Sequence, residues 1–153
     1  MFPPPHTASP TAEDAAVRST DSDALLSRVS AAKQGYLVDP LAPLFLTPAQ
    51  RRSTERRPPL INIGTHARCW AVDNLVQHFF QSERDVQVLS LGAGTDTRYW
   101  RTRQWWHATQ GELESWPCRK WVEVDFAEAT SSKARTVATK AELKAHLGGD
   151  VKI

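Results

Sequence analysis

Cysteine is scarce in this sequence, with only Cys69 and Cys118 among 153 residues. Neither stands in a CxxC pair or a metal-ligand spacing. That argues against a disulfide framework and a cysteine metal site, and both read as reduced thiols of an intracellular protein. A surplus of one charge is also lacking. The net charge is +2, too small to argue for nucleic acid or an anionic membrane as partner. No apolar run approaches the ~20 residues a membrane helix needs. The opening MFPPPHTASPTAED has neither a basic n-region nor an apolar h-region, so it is no secretory signal. The expectation is a cytoplasmic or nuclear monomer with no membrane or nucleic-acid partner.

Hydrophobic residues do make up 41% of the chain, enough for one modest domain with a core. Residues 1–19 are rich in Pro, Ser, Thr and Ala and are expected to form a disordered tail, leaving 20–153 as the folded part. Thr20 or Asp21 can cap a helix with Ala24, Leu25, Leu26, Val29 and Ala32 on its apolar face, and Gly35 is placed to end it. Residues 48–59, PAQRRSTERRPP, read as an exposed loop; their arginines lack the interleaved aromatics of a nucleic-acid surface. Thr65 can cap a second helix, with Val72, Leu75, Val76, Phe79 and Phe80 at helical spacing. Val86–Leu91 reads as a buried strand, Gly92-Ala93-Gly94 as a turn, and Asp96 onward as a helix. Residues 103–118 look like a loop, Lys120–Asp125 like a second strand, and Ala127–Leu147 like one helix stopped by Gly148-Gly149. This order is the opening of a parallel α/β sheet with right-handed crossovers.

A glycine turn after the first strand lets backbone approach a ligand closely, because no Cβ intervenes. An acid at the end of the second strand can accept hydrogen bonds from both ribose hydroxyls. Gly92, Gly94 and Asp125 supply these parts. Dinucleotide and S-adenosylmethionine sites share the pairing. The pattern here is GxGxDT rather than the GxGxxG of a pyrophosphate site, and Asp96 puts negative charge where phosphates would sit. The chemistry favours S-adenosylmethionine over NAD. Asp125 could also serve merely as a helix cap. His66, His78 and His107 have no metal spacing, and the tryptophans, irregularly spaced, read as packing residues.

Four ordered blocks, VRSTDSDALLSRVSAAKQGYLVDP, PPLINIGTHARCWAVDNLV, VLSLGAGTDTRYWR and WVEVDFAEATSSKA, resemble the leucine carboxyl methyltransferases over about Val17–Val137. The resemblance implies a Rossmann-like class I fold using S-adenosylmethionine to methylate the C-terminal leucine carboxylate of the protein phosphatase 2A catalytic subunit. It implies that Arg28 contacts the cofactor, Arg68 binds its carboxylate, Gly92 lies against it, Gly94 shapes the turn and Asp125 holds the ribose. One departure is Ile63, where the family's INRG pattern has an arginine. The wybutosine-type tRNA methyltransferases are sisters with similar blocks, and a non-catalytic interaction module is a third possibility.

An acceptor carboxylate is already ionised at neutral pH, so the expectation is alignment without a general base, a catalytic side chain, a metal or a covalent intermediate. The chain stops at Ile153, soon after the second strand and its helix. It is therefore expected to be an amino-terminal, truncated form that binds cofactor weakly and does not turn over.

Overall fold

The alanine-rich segment AEDAAVR is a strong helix former, and the first helix begins there rather than at its expected cap. In the computed structural model, which describes residues 12–52, 55–111, 115–145 and 147, helix α1 spans Ala12–Lys33. Residues 12–19, expected in a disordered tail, are thus helical, and Asp21 lies inside the helix instead of capping it. Residues 1–11 lie outside the described residues. The end of α1 is as expected. Gly35 takes φ +78°, Tyr36 N–H donates to Ala31 O at 2.9 Å and Gly35 N–H to Ala32 O at 3.1 Å, a Schellman cap.

Next, the chain makes a 3-10 turn over Ala42–Phe45, and helix α2, Pro48–Arg52, then occupies part of the expected exposed loop. The missed signal was a reciprocal cap. Thr47 N–H donates to Gln50 Oε1 at 2.9 Å, and Gln50 N–H donates to Thr47 Oγ1 at 3.2 Å. Helix α3 spans Pro59–Ser82. It starts six residues before the expected Thr65 cap because Pro59 occupies the first helical position, where its fixed φ suits a helix and its missing N–H costs nothing. Thr65 is buried within the helix.

Strand β1, Val86–Leu91, pairs in parallel with β2, Cys118–Val124, in the register Val88↔Trp121 to Leu91↔Val124. Between them α4 runs over Arg98–Gln110. The first half of the loop expected over residues 103–118, residues 103–110, is therefore helix. Tyr99, Thr102 and Trp106 are buried at helical spacing, a period obscured because aromatic and polar residues carry it. After β2, α5 covers Ala127–Thr139 and α6 covers Ala141–Ala145. The single helix expected there breaks at Lys140, whose backbone is extended, and the break delivers Leu143 fully into the core. Gly148-Gly149 lies outside the described residues.

Two apolar clusters hold these elements. Leu25 and Val29 of α1 pack with Leu41, Phe45, Tyr99, Trp100, Val137 and Leu143. Phe80 of α3 packs with Val86, Trp106 and Cys118, flanked by Trp105, Trp116 and Trp121. The indole N–H of Trp100 donates to Leu143 O at 3.0 Å, so its polar end is satisfied where its rings are buried. The other sheet face is bare: Leu89 and Leu91 of β1 are 64% and 73% exposed. On α3, Val72, Leu75 and Phe79 are exposed too, so among the described residues only part of the expected apolar stripe is buried.

A glycine turn held between two carboxylates

The turn leaves β1 at its carboxyl end. Gly92 and Gly94 take φ +63° and +45°, a region that costs a side chain roughly 1–2 kcal/mol. Gly92 N–H donates to Val124 O at 2.8 Å, which ties the turn to the end of β2. The next residue of that strand end is Asp125. Its Oδ2 accepts Gly94 N–H at 2.7 Å and its Oδ1 accepts its neighbour Phe126 N–H at 2.7 Å. Asp125 is thus more than the simple helix cap it could have been: it joins the two strand ends. Each carboxylate oxygen has two lone pairs, so acceptor capacity is left over.

A second carboxylate reaches the turn from α1. Asp21 Oδ1 accepts Thr95 N–H at 2.9 Å and Thr95 Oγ–H at 2.8 Å. It is close enough that a Cβ built on Gly94 would lie 2.3 Å from Asp21 Oδ1. A side chain at position 94 would therefore have to displace the Asp21 carboxylate from Thr95 as well as adopt the left-handed φ. Arg28, two turns along the same helix, donates through Nη2 to Thr95 O at 2.8 Å and to Thr95 Oγ1 at 3.0 Å. Its side chain is buried and its Nε has no hydrogen-bond partner, the mark of a buried cation with donor capacity to spare.

Behind the turn lies a charge network. Asp96 Oδ1 accepts Arg98 N–H at 3.0 Å, capping α4, and Asp96 Oδ2 also pairs with the Arg98 guanidinium. Asp73 of α3 accepts from Arg98 Nε at 2.9 Å and from both terminal nitrogens of Arg101. Burial opposes the Arg101 charge, but Asp73, with Asp39 and Asp96 behind it, more than offsets this and holds the Arg101 pKa above its ordinary value. Asp39 accepts Leu41 and Ala42 N–H groups and the Thr97 hydroxyl at 2.6 Å, so one buried acid fixes both the 3-10 turn and the start of α4. Lys133 of α5 donates to Asp96 O at 2.7 Å and pairs with Glu123 at 2.6 Å.

Of the residues expected at the site, Arg28, Gly92, Gly94 and Asp125 converge on the turn. Arg68 does not join them. It is exposed on α3 with no hydrogen bond or ion pair among the described residues. Its neighbour Cys69 is buried, and burial raises its thiol pKa above the ordinary value although Arg101 pulls it down. Ile63, the departure from the INRG pattern, is exposed as well, while Asn62 beside it is buried. Asn62 accepts the Ser30 hydroxyl at 3.0 Å and donates to Arg57 O at 3.1 Å, locking α3 to α1. Asp21 and Thr95 were missed as site residues. The signal available was an acid seven residues before Arg28, on the same helical face. Among the described residues no group of three or more His, Cys, Asp or Glu could hold a metal ion. No described helix is long and apolar enough to cross a membrane.

A parallel strand pair, a glycine turn at its carboxyl end and an acid closing the second strand define a mixed α/β unit. The family model for leucine carboxyl methyltransferase matches residues 16–152, and the chain belongs to that family. It is similar to leucine carboxyl methyltransferase 1 of Cryptococcus neoformans, 44% identical over 95% of this chain and 42% of that one. The Schizosaccharomyces pombe protein of the same name is 37% identical over 86% of this chain and 39% of its own. A leucine carboxyl methyltransferase 1 homolog of Arabidopsis thaliana is 36% identical over 91% and 38%. The chain therefore spans less than half the length of these relatives.

Proposed function

We propose that residues 20–153 are the amino-terminal part of a Rossmann-like methyltransferase domain that binds S-adenosylmethionine. The proposed reaction is methyl esterification of a C-terminal leucine carboxylate, that of the protein phosphatase 2A catalytic subunit. One observation carries the cofactor reading. The two successive amides of the turn, Gly94 and Thr95, already donate to Asp125 and Asp21. A pyrophosphate needs such amides free and a positive field around them. Here both amides are spent on carboxylates, which suits a ligand with cationic groups and no phosphate. Asp125 would accept from the ribose hydroxyls with its remaining lone pairs. Arg28, buried at Thr95 with an unpartnered Nε, would meet the cofactor's carboxylate. Arg68, exposed and uncommitted on α3, would add a second guanidinium to that end.

When bound, S-adenosylmethionine supplies a methyl group already activated on a sulfonium. The protein's part is then to orient the two reactants and exclude water, and no side chain of this chain need move a proton, because the acceptor carboxylate is ionised at neutral pH. A soluble location in cytoplasm or nucleus and a monomeric state complete the proposal.

Calorimetry on the chain tests the cofactor: weak binding of S-adenosylmethionine is expected, reduced about tenfold or more in Asp125→Ala by loss of hydrogen bonds to a charged acceptor. NAD binding as tightly as S-adenosylmethionine would overturn the assignment. The acceptor is tested in the chain completed with the remainder of the Cryptococcus relative. Labelled methyl should pass to a peptide ending in a free leucine carboxylate. Equal transfer to the C-terminally amidated peptide, or transfer to tRNA instead, defeats the carboxylate reading.

A further inference from the structure

We propose that Asp21 is the residue that selects a cationic cofactor at the glycine turn by its charge, and that it also positions Thr95. The inference deepens the cofactor reading above and rests on it. Asp21 comes from α1, 74 residues before Thr95 in sequence, yet it takes both the amide and the hydroxyl of that residue. It stands against Gly94 so closely that a side chain there would have to displace it. On the far side of the turn Asp125 takes the preceding amide. The turn is therefore held open by two carboxylates that occupy its donors, where a phosphate-binding turn would offer those donors to its ligand.

The second observation is Arg28. It is 7% exposed, has an unpartnered Nε, and grips the carbonyl and hydroxyl of the same Thr95. Thr95 thus sits between an acid and a base supplied by one helix, Asp21 and Arg28, seven residues and about two turns apart. An acid and a base so placed match a zwitterionic end: an ammonium and sulfonium favoured by the carboxylates, a carboxylate favoured by the guanidinium. The selection is made against phosphates and for the amino-acid end, and it is independent of the ribose contact at Asp125.

Two variants test it. Asp21→Asn keeps shape and an acceptor for Thr95 but removes the charge; Asp21→Ala removes both. Titrate each with S-adenosylmethionine and with methylthioadenosine, the same nucleoside without the charged end. Selection by charge predicts that Asp21→Asn weakens S-adenosylmethionine about tenfold while methylthioadenosine stays within about twofold. A merely structural role would weaken both together or leave both unchanged, and either result overturns the selection. A ligand-free readout accompanies it. Amide hydrogen exchange at Thr95 should quicken by about tenfold or more in Asp21→Ala and stay near wild type in Asp21→Asn. Unchanged exchange in Asp21→Ala overturns the positioning role. If the wild-type chain binds neither nucleoside, the cofactor reading falls and selection with it, while Thr95 exchange still decides whether Asp21 positions the turn.

Discussion

Asp73→Ala removes the carboxylate on which two arginines of α4 converge, and the cost follows from how little water can replace it. The Asp73 side chain is 17% exposed and that of Arg101 10%. Arg98 Nε donates to Asp73 at 2.9 Å and Arg101 Nη2 at 3.2 Å, with a further contact from Arg101 Nη1. Breaking a buried pair by removing one partner typically costs about 3–5 kcal/mol, because a buried charge is left uncompensated. Two fallbacks reduce this. Asp96 still pairs with Arg98, and Asp39 lies 3.9 Å from Arg101 Nε. The expected loss is therefore near the lower end, about 3 kcal/mol. With a urea m-value of about 2 kcal/mol/M, the unfolding midpoint should fall by about 1.5 M. Asp73→Asn keeps an acceptor but loses the charge and should fall between the two. In a double-mutant cycle with Arg101→Ala, the coupling should exceed about 1 kcal/mol, since the two side chains share the interaction. A midpoint for Asp73→Ala within about 0.25 M of wild type, about 0.5 kcal/mol at equal m, would show that the network is solvated and refute the reasoning.

The glycines of the turn should separate by their surroundings. Gly92→Ala meets nothing within 4 Å and should cost only the left-handed penalty, about 1–2 kcal/mol, whereas Gly94→Ala also collides with Asp21 and should cost about 2–4 kcal/mol in urea unfolding. The reverse order would refute the placement of Asp21. Both thiols are buried, and burial raises the pKa of Cys69 and of Cys118. Iodoacetamide at neutral pH should therefore label them about a hundredfold more slowly in the folded chain than in urea. The sign with pH follows. The fold disfavours each thiolate, so the full stability is present below the unfolded thiol's pKa and is lost as pH rises through it toward the folded value. Unfolding midpoints measured upward from neutral pH should fall less in Cys69→Ala than in wild type.

Sequence patterns were enough to find the parallel strand pair, the turn and the Gly35 cap, because each rests on local chemistry: alternation, a required positive φ, a strand-end acid. The errors share a different cause. The start of helix α4 is legible at Asp96, but residues 103–110 read as loop because the buried positions of the helix, Tyr99, Trp100, Thr102 and Trp106, register weakly as an apolar stripe. The sequence points to Thr65 as the start of helix α3 because a hydroxyl residue is the usual cap, whereas Pro59 at the first helical position opens it without a side-chain hydrogen bond. On α3, apolar spacing at Val72, Leu75 and Phe79 correctly signalled a helix but not burial, since burial depends on what packs against the face.

The site divides along the same line. Gly92, Gly94 and Asp125 lie at the ends of two adjacent strands, so strand order alone brings them together. Asp21 reaches the turn only because α1 runs past it, and nothing local to Asp21 distinguishes a clamp on the turn from a helix cap. Its partner could have been sought in the spacing to Arg28, because an acid and a base two turns apart present one helical face to a common neighbour. Thr95, with three hydrogen-bonding groups on one short residue, is a neighbour able to engage both. The GxGxDT pattern thus has a physical reason. Thr95, at its second variable position, spends its donors on Asp21, which under the proposed cofactor reading disfavours phosphate even before Asp96 is counted.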